Sequence, residues 1–173
     1  MSSAGTASVL VRAGSIDDLP RLTEIYNHYV SNTVTTFDLD PFSVEERQAW
    51  FERYSDTGRH RLLVACDTNR VVGYTTTSPF HPRRAYETTV ELTILCAPEP
   101  VGRGIGQRLY EALFAAIRGE DIRLAIAAIT MPNDASVALH ERFGFTRAAL
   151  LPDAGRKFGR YHDVLWMTRP MPP

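Results

Sequence analysis

Apolar residues along the chain recur in two patterns. From Ser15 to about Val30, Leu19, Leu22, Ile25, Tyr26 and Tyr29 fall three or four apart, one face of a helix, and Ser15 with Asp18 supplies a capping box to start it. Ser43 and Glu46 repeat the device ahead of Val44, Trp50, Phe51 and Tyr54, which predicts a second helix. Between the two lies SNTVTTFDLDP, a long polar connection with one aromatic, Phe37; connections of that length are often functional. The other pattern is β-rich: Val9 to Arg12, then Arg61 to Cys66 and Val71 to Thr77 around the hairpin turn Asp67-Thr68-Asn69-Arg70, then Thr88 to Cys96. A helix from about Gly104 to Arg118, a strand from Arg123 to Thr130, and a helix capped by Asn133 and stopped by Gly144 follow. Two more strands, the last near Asp163 to Met167, end the pattern. This order predicts an α/β fold, a mixed central sheet flanked by helices. The small polar start, 1–8, and the proline-rich end, 169–173, are expected as tails.

Composition narrows the class. The 173 residues suit one domain, and 44% hydrophobic with 23% charged residues is globular. A net charge of -1 lacks the basic surplus that non-specific nucleic-acid binding uses. Of the 19 basic side chains all but Lys157 are Arg, a bias that genome composition also produces. Cys66 and Cys96 fit reduced thiols, and the five histidines show no metal-ligand spacing, so no metal is expected. No signal-peptide pattern or membrane-length apolar run is present, which predicts a cytoplasmic protein without membrane partners.

The most specific feature is VGRGIGQRLYEALFAAI, Val101 to Ile117, where Gly102, Gly104 and Gly106 alternate at a strand-to-helix junction. Glycines there let backbone N–H groups approach phosphate oxygens; the plainer alternative is a flexible loop capping the helix. Neither the dinucleotide spacing nor the P-loop Gly-Lys pair is met.

Val101 to Gly106 resembles the acetyl-CoA signature of the GNAT acetyltransferases, with Val101 where Arg or Gln is usual, and NDASVALHERFGF from Asn133 resembles a second block of that family. YNHYVSNTVTTFD, GYTTTSPFHPRRAYETTVE, LHERFGF and GRKFGRYHD together resemble the phosphinothricin and methionine-sulfoximine N-acetyltransferases over nearly the whole chain. The resemblance implies one GNAT domain, the amine of a small amino acid analogue as substrate, acetyl-CoA as co-substrate and a homodimer. It implies cofactor contacts at Ile94, Leu95, Cys96, Gly102, Arg103, Gly104, Ile105, Gly106, Gln107 and Asn133. Substrate contacts are implied at Glu91, Leu92, Thr93 and Lys157. His81, Arg83 and Tyr86 join them from the segment where the subfamily has Arg-x-Arg, and this chain keeps the second Arg only. Phe37 and Tyr86 are candidate apolar walls of the same site, with core packing as the alternative for each, and a solvated basic loop is the plainer alternative for the arginine-bearing segment.

Strand alternation sends Glu91 and Thr93 to the face opposite Val90, Leu92, Ile94 and Cys96. A carboxylate inside a β-rich strand marks either a wet face or a desolvated base able to take an ammonium proton near neutral pH. Its place just before the glycine turn favours the base. His140 stands where the wider family has Tyr, and is either an acid, a second base or a structural histidine. The expected activity is acetyl transfer to the amine of a small amino acid analogue. Alternatives are a polyamine or peptide N-terminal acetyltransferase, or a non-catalytic acetyl-CoA sensor.

Overall fold

The structure, a computed structural model, describes residues 9–99 and 104–172. Strand β1 (Leu10–Ala13) leads through a 3-10 turn (Ile16–Asp18) into α1 (Leu19–Asn32), and α2 (Val44–Phe51) follows. Strands β2 (Leu62–Asp67) and β3 (Arg70–Pro79) form a hairpin, and β4 (Thr89–Cys96), α3 (Ile105–Ala116), β5 (Leu124–Thr130) and α4 (Asp134–Arg142) come next. A second hairpin, β6 (Thr146–Lys157) and β7 (Arg160–Pro170), completes the chain.

The strands form one sheet in the order β1-β2-β3-β4-β5-β7-β6. Every neighbouring pair is antiparallel except β4 and β5, whose parallel pairing requires the crossover that α3 provides. The mixed sheet flanked by helices is the architecture the periodicities predict. At the first helix the capping box holds, since Asp18 Oδ2 accepts from Ser15 N at 2.7 Å and Arg12 grips the same carboxylate at 2.7 and 2.8 Å.

The end of the chain departs from expectation. Arg169 and Pro170 are not tail residues, because β7 continues through them opposite Ala125 and Leu124. Proline in the last strand position gives up one donor only, and Met171 N restores the contact by donating to Arg123 O at 3.0 Å.

Both faces of the sheet are covered. Val90 and Leu92 of β4 pack with Tyr110 and Leu113 of α3 and with Met167 of β7. Leu95 packs on the opposite side with Leu22 and Ile25 of α1 and with Tyr74. Glu91 and Thr93 share that second side by alternation. No helix among the described residues is long and apolar enough to cross a membrane.

One irregularity positions the functional site. Pairing between β4 and β5 covers Thr89↔Leu124, Val90↔Ala125 and Glu91↔Ile126 and then stops, although the strands continue to Cys96 and Thr130. Beyond Glu91 the two strands diverge into a wedge, and their facing backbone groups have no strand across from them.

Candidate active site

The wedge is a cavity of about 480 Å³. Leu92 to Leu95 form one wall and Ala127 to Thr130 the other, with Asn133, Ser136 and His140 of α4 at one end. Thr35, Thr36 and Phe37 from the α1–α2 connection close it opposite Trp166 of β7. Among the described residues, Glu91 is the one formally charged residue lining it. Half-burial without a compensating cation pushes its carboxyl pKa up, so the side chain can accept a proton nearer neutral pH than an ordinary glutamate.

At the α4 end, Asn133 Oδ1 accepts from Ser136 N at 3.1 Å, which caps the helix and leaves His140 one turn further along. His140 is 3% exposed. Its Nδ1 lies 2.7 Å from Ser136 O, and a carbonyl can only accept, so that nitrogen carries the hydrogen. Nε2 therefore accepts from the Tyr110 hydroxyl at 2.7 Å. Burial lowers the His140 pKa, keeping the ring neutral, and both nitrogens are engaged by the protein.

Of the glycine turn, Gly104 to Gly106 are described. Gly102 and Arg103, with Val101, fall outside the described residues. Gly104 caps α3 with φ +90, a left-handed conformation that suits a residue without Cβ. A Cβ at Gly106 would stand 3.1 Å from Leu139 Cδ2 and 3.6 Å from Ile94 Cδ1, so α3, β4 and α4 converge on a space that only glycine leaves clear. The first-turn N–H groups of α3, beside this space, have no intrahelical acceptors and suit phosphate oxygens. These features fit acetyl-CoA. Ile94 and Leu95 line the wedge, whereas Ile105 is core and the Gln107 amide turns to Glu111 at 2.6 Å. The Cys96 carbonyl accepts from Tyr29 OH at 2.6 Å, and burial raises the pKa of its thiol, which makes it a packed thiol and a poor nucleophile.

Of the candidate substrate contacts, Phe37, Glu91, Leu92 and Thr93 meet in the wedge. His81, Arg83 and Tyr86 do not line it. They sit on an outer loop where Arg83 N donates to His81 Nδ1 at 3.1 Å and Tyr86 is 42% exposed. Phe80, at the head of the loop, packs its ring 5.6 Å from that of Trp166, which lines the wedge. Lys157 also lies outside the lining: it is 3% exposed, and Nζ donates to Thr36 O at 2.7 Å and to Tyr29 O at 3.4 Å. Its ammonium is held by the chain's own carbonyls, which corrects its expected contact with substrate.

Four lining or supporting residues were not legible as such. Tyr110 reads as core on the apolar face of α3, and Ser136 and Trp166 carry no local signal. Arg47, the buried residue of α2, lies between the rings of Tyr26 at 4.2 Å and Trp50 at 3.8 Å, with Nε and Nη2 unpaired among the described residues. It lines an adjoining cavity of about 320 Å³ that shares Tyr26 and Thr93 with the wedge.

The Acetyltransferase (GNAT) family model matches residues 22–145, from α1 past α4, and so takes in the diverging strands and the glycine turn. The chain belongs to the GNAT acetyltransferases. Among its relatives, a phosphinothricin N-acetyltransferase of Streptomyces coelicolor is 48% identical over 169 residues, covering 96% of this chain and 99% of that protein. An L-methionine sulfoximine/L-methionine sulfone acetyltransferase of Pseudomonas paraeruginosa is 34% identical over 167 residues, covering 96% of each. A crystal structure of a GNAT superfamily phosphinothricin acetyltransferase from Sinorhizobium meliloti in complex with acetyl-CoA superposes with a TM-score of 0.88. It is 35% identical and covers 94% of this chain and 88% of that one. As a GNAT enzyme the chain has the expected single mixed sheet, with the strand divergence beginning just past Glu91.

Proposed function

We propose that this acetyltransferase moves the acetyl group of acetyl-CoA directly to the α-amine of a small amino acid analogue of the phosphinothricin, methionine sulfoximine or methionine sulfone type. The observation that carries the reading is a desolvated carboxylate, Glu91, the single charged group among the described residues of a wedge that opens where β4 leaves β5. The names and coverage of the relatives support the substrate class.

An amine arrives mostly as ammonium, whose nitrogen has no lone pair to attack with. Glu91 takes that proton, directly or through one water, and its raised pKa brings its basicity closer to the task. Bound acetyl-CoA supplies the acetyl group as a thioester: the amine nitrogen bonds the carbonyl carbon, the C–S bond breaks, and coenzyme A leaves as a thiolate that takes up the second proton the nitrogen sheds. Past Glu91 no residue of β5 pairs with β4, so the backbone N–H groups of the Ile94–Cys96 stretch that do not turn to β3 suit negative charge on an acyl oxygen without reorganising. Thr93 and Leu92 shape the acceptor side, and Phe37 closes it. His140 acts by position: it fixes Ser136 and Tyr110 at the α4 end rather than exchanging a proton with the wedge.

A homodimer is part of this reading, supported by β6, an edge strand that shows Leu150 and Leu151 to solvent with Phe158 and Tyr161 exposed in the same hairpin. Cytoplasmic residence is supported by two free cysteines. The test is release of free coenzyme A thiol from acetyl-CoA with a panel of amino acid sulfones, sulfoximines and phosphinates, polyamines and peptides. Fastest release is expected with the amino acid analogues. Preference for a polyamine or peptide would reassign the acceptor, and acetyl-CoA binding without release would make the chain a sensor.

A further inference from the structure

The connection Thr33 to Phe42 supplies three wall residues of the wedge, yet lies outside regular secondary structure. Its near end is fastened by Thr33 N, which donates to Tyr29 O at 3.2 Å, and the residues on either side of Phe37 are tied to α1 by the Tyr26 hydroxyl, bonded to Thr36 Oγ1 at 2.9 Å and to the Asp38 carboxylate. Its far end is fastened by Asn27, which accepts from Phe42 N at 2.9 Å and donates to Phe42 O at 2.7 Å. The Phe37 ring itself is met from far along the chain, by the tip of the β6–β7 hairpin.

Gly155 and Lys157 are two apart on β6 and so face the same way, paired across to His162 and Arg160. An irregularity between Leu151 and Gly155, with Asp153 at φ 52 and its N–H bonded to Asp163 Oδ1 at 2.9 Å, turns the strand end toward the connection. A Cβ on Gly155 would lie 2.2 to 2.7 Å from three atoms of the Phe37 ring, so the ring rests directly on the glycine backbone. The His162 ring flanks it, with centroids 6.4 Å apart. One residue before Phe37, the Lys157 ammonium holds Thr36 O at 2.7 Å.

We propose that Gly155 and Lys157 form a latch that sets the position of Phe37, and thereby the size of acceptor the wedge admits, without either residue touching the substrate. The proposal rests on the wedge being the acceptor site, but the latch itself is a statement about the connection. Gly155 has no positive φ, so alanine fits its backbone and acts only through the ring it displaces. Ordinary contact begins at 3.4 Å, so the ring must move by more than about 1 Å, a displacement that costs on the order of a hundredfold when it disturbs substrate placement.

The experiment uses Gly155→Ala, Lys157→Met and Gly155→Ala with Phe37→Leu, each followed by hydrogen exchange of the peptides covering 33–42 and by steady-state kinetics. Faster exchange confined to 33–42 is expected in both single variants. For acceptor amines, KM should rise by about tenfold or more, with relatively better use of bulkier amines and an unchanged KM for acetyl-CoA. Replacing the ring in the double variant should recover part of the loss from Gly155→Ala. Unchanged exchange at 33–42 in both single variants overturns the latch whatever the acceptor. Altered exchange with unchanged acceptor KM and selectivity overturns its role in specificity. If the unaltered chain acetylates no amine while exchange responds as expected, the latch stands and the acetyltransferase reading is the one that fails.

Discussion

The hydrogen bond between Tyr110 and His140 gives the sharpest division between positioning and proton transfer. Both partners are buried and the bond is 2.7 Å long. Tyr110→Phe removes the donor and strands the Nε2 lone pair, at a cost of about 1–3 kcal/mol. For a chain of this size that is roughly 2–4 °C of melting temperature per kcal/mol. His140→Ala strands the Tyr110 hydroxyl instead and adds the loss of a ring packed 5.1 Å from Phe145, so its cost should be larger by about 2 kcal/mol. The double variant should lose less than the sum of the singles, with a coupling between about 0.5 and 3 kcal/mol. Urea unfolding of the four proteins measures this directly. Because both nitrogens of His140 are engaged, kcat of folded Tyr110→Phe should fall by less than the roughly hundredfold expected on losing a general acid or base. Normal stability combined with a hundredfold or greater loss of kcat and an altered pH profile would refute the positioning role and place a proton path through this pair.

Other outcomes follow from the same geometry. Burial raises the Glu91 pKa in the folded chain, so ionising it opposes folding; the protein is most favoured below the unfolded pKa and loses stability as pH rises through the folded value. Glu91→Gln should accordingly melt higher than the unaltered chain at neutral pH, with the difference closing in acid, as calorimetry against pH can check. Asn133→Ala removes the cap on α4 and should cost about 0.5–2 kcal/mol, measured by denaturant unfolding. Gly106→Ala places a methyl 3.1 Å from Leu139, and a higher KM for acetyl-CoA with little change in acceptor KM is expected from initial-rate kinetics.

Much of this is visible in short-range pattern. The capping box at Ser43, the hairpin turn before Arg70, the Asn133 cap and the glycine at the start of α3 each depend on residues within a few positions of one another. Glu91 is legible because alternation places it on one face of β4. The remainder depends on contacts that span the chain. Lys157 meets Thr36 across 121 positions, so its proximity to substrate-site motifs in sequence says nothing about where its ammonium points. His140 meets Tyr110 across 30 positions, and only that contact distinguishes an engaged imidazole from a free acid. Arg47 defeats hydrophobic patterning altogether, since stacked rings bury its guanidinium where an apolar residue is the usual occupant. The arginine-bearing loop beyond Phe80 is charged like a ligand site but lies outside the wedge lining.

Direct transfer with Glu91 as the base is tested most directly by kcat/KM for the best acceptor amine across pH, in the unaltered chain and in Glu91→Gln, alongside the Kd for acetyl-CoA. The expected result is an acidic limb above the ordinary glutamate range that is absent from the variant. A loss of about a hundredfold or more at the plateau should accompany it, with unchanged acetyl-CoA affinity. A variant with wild-type kcat/KM and the acidic limb intact would contradict it.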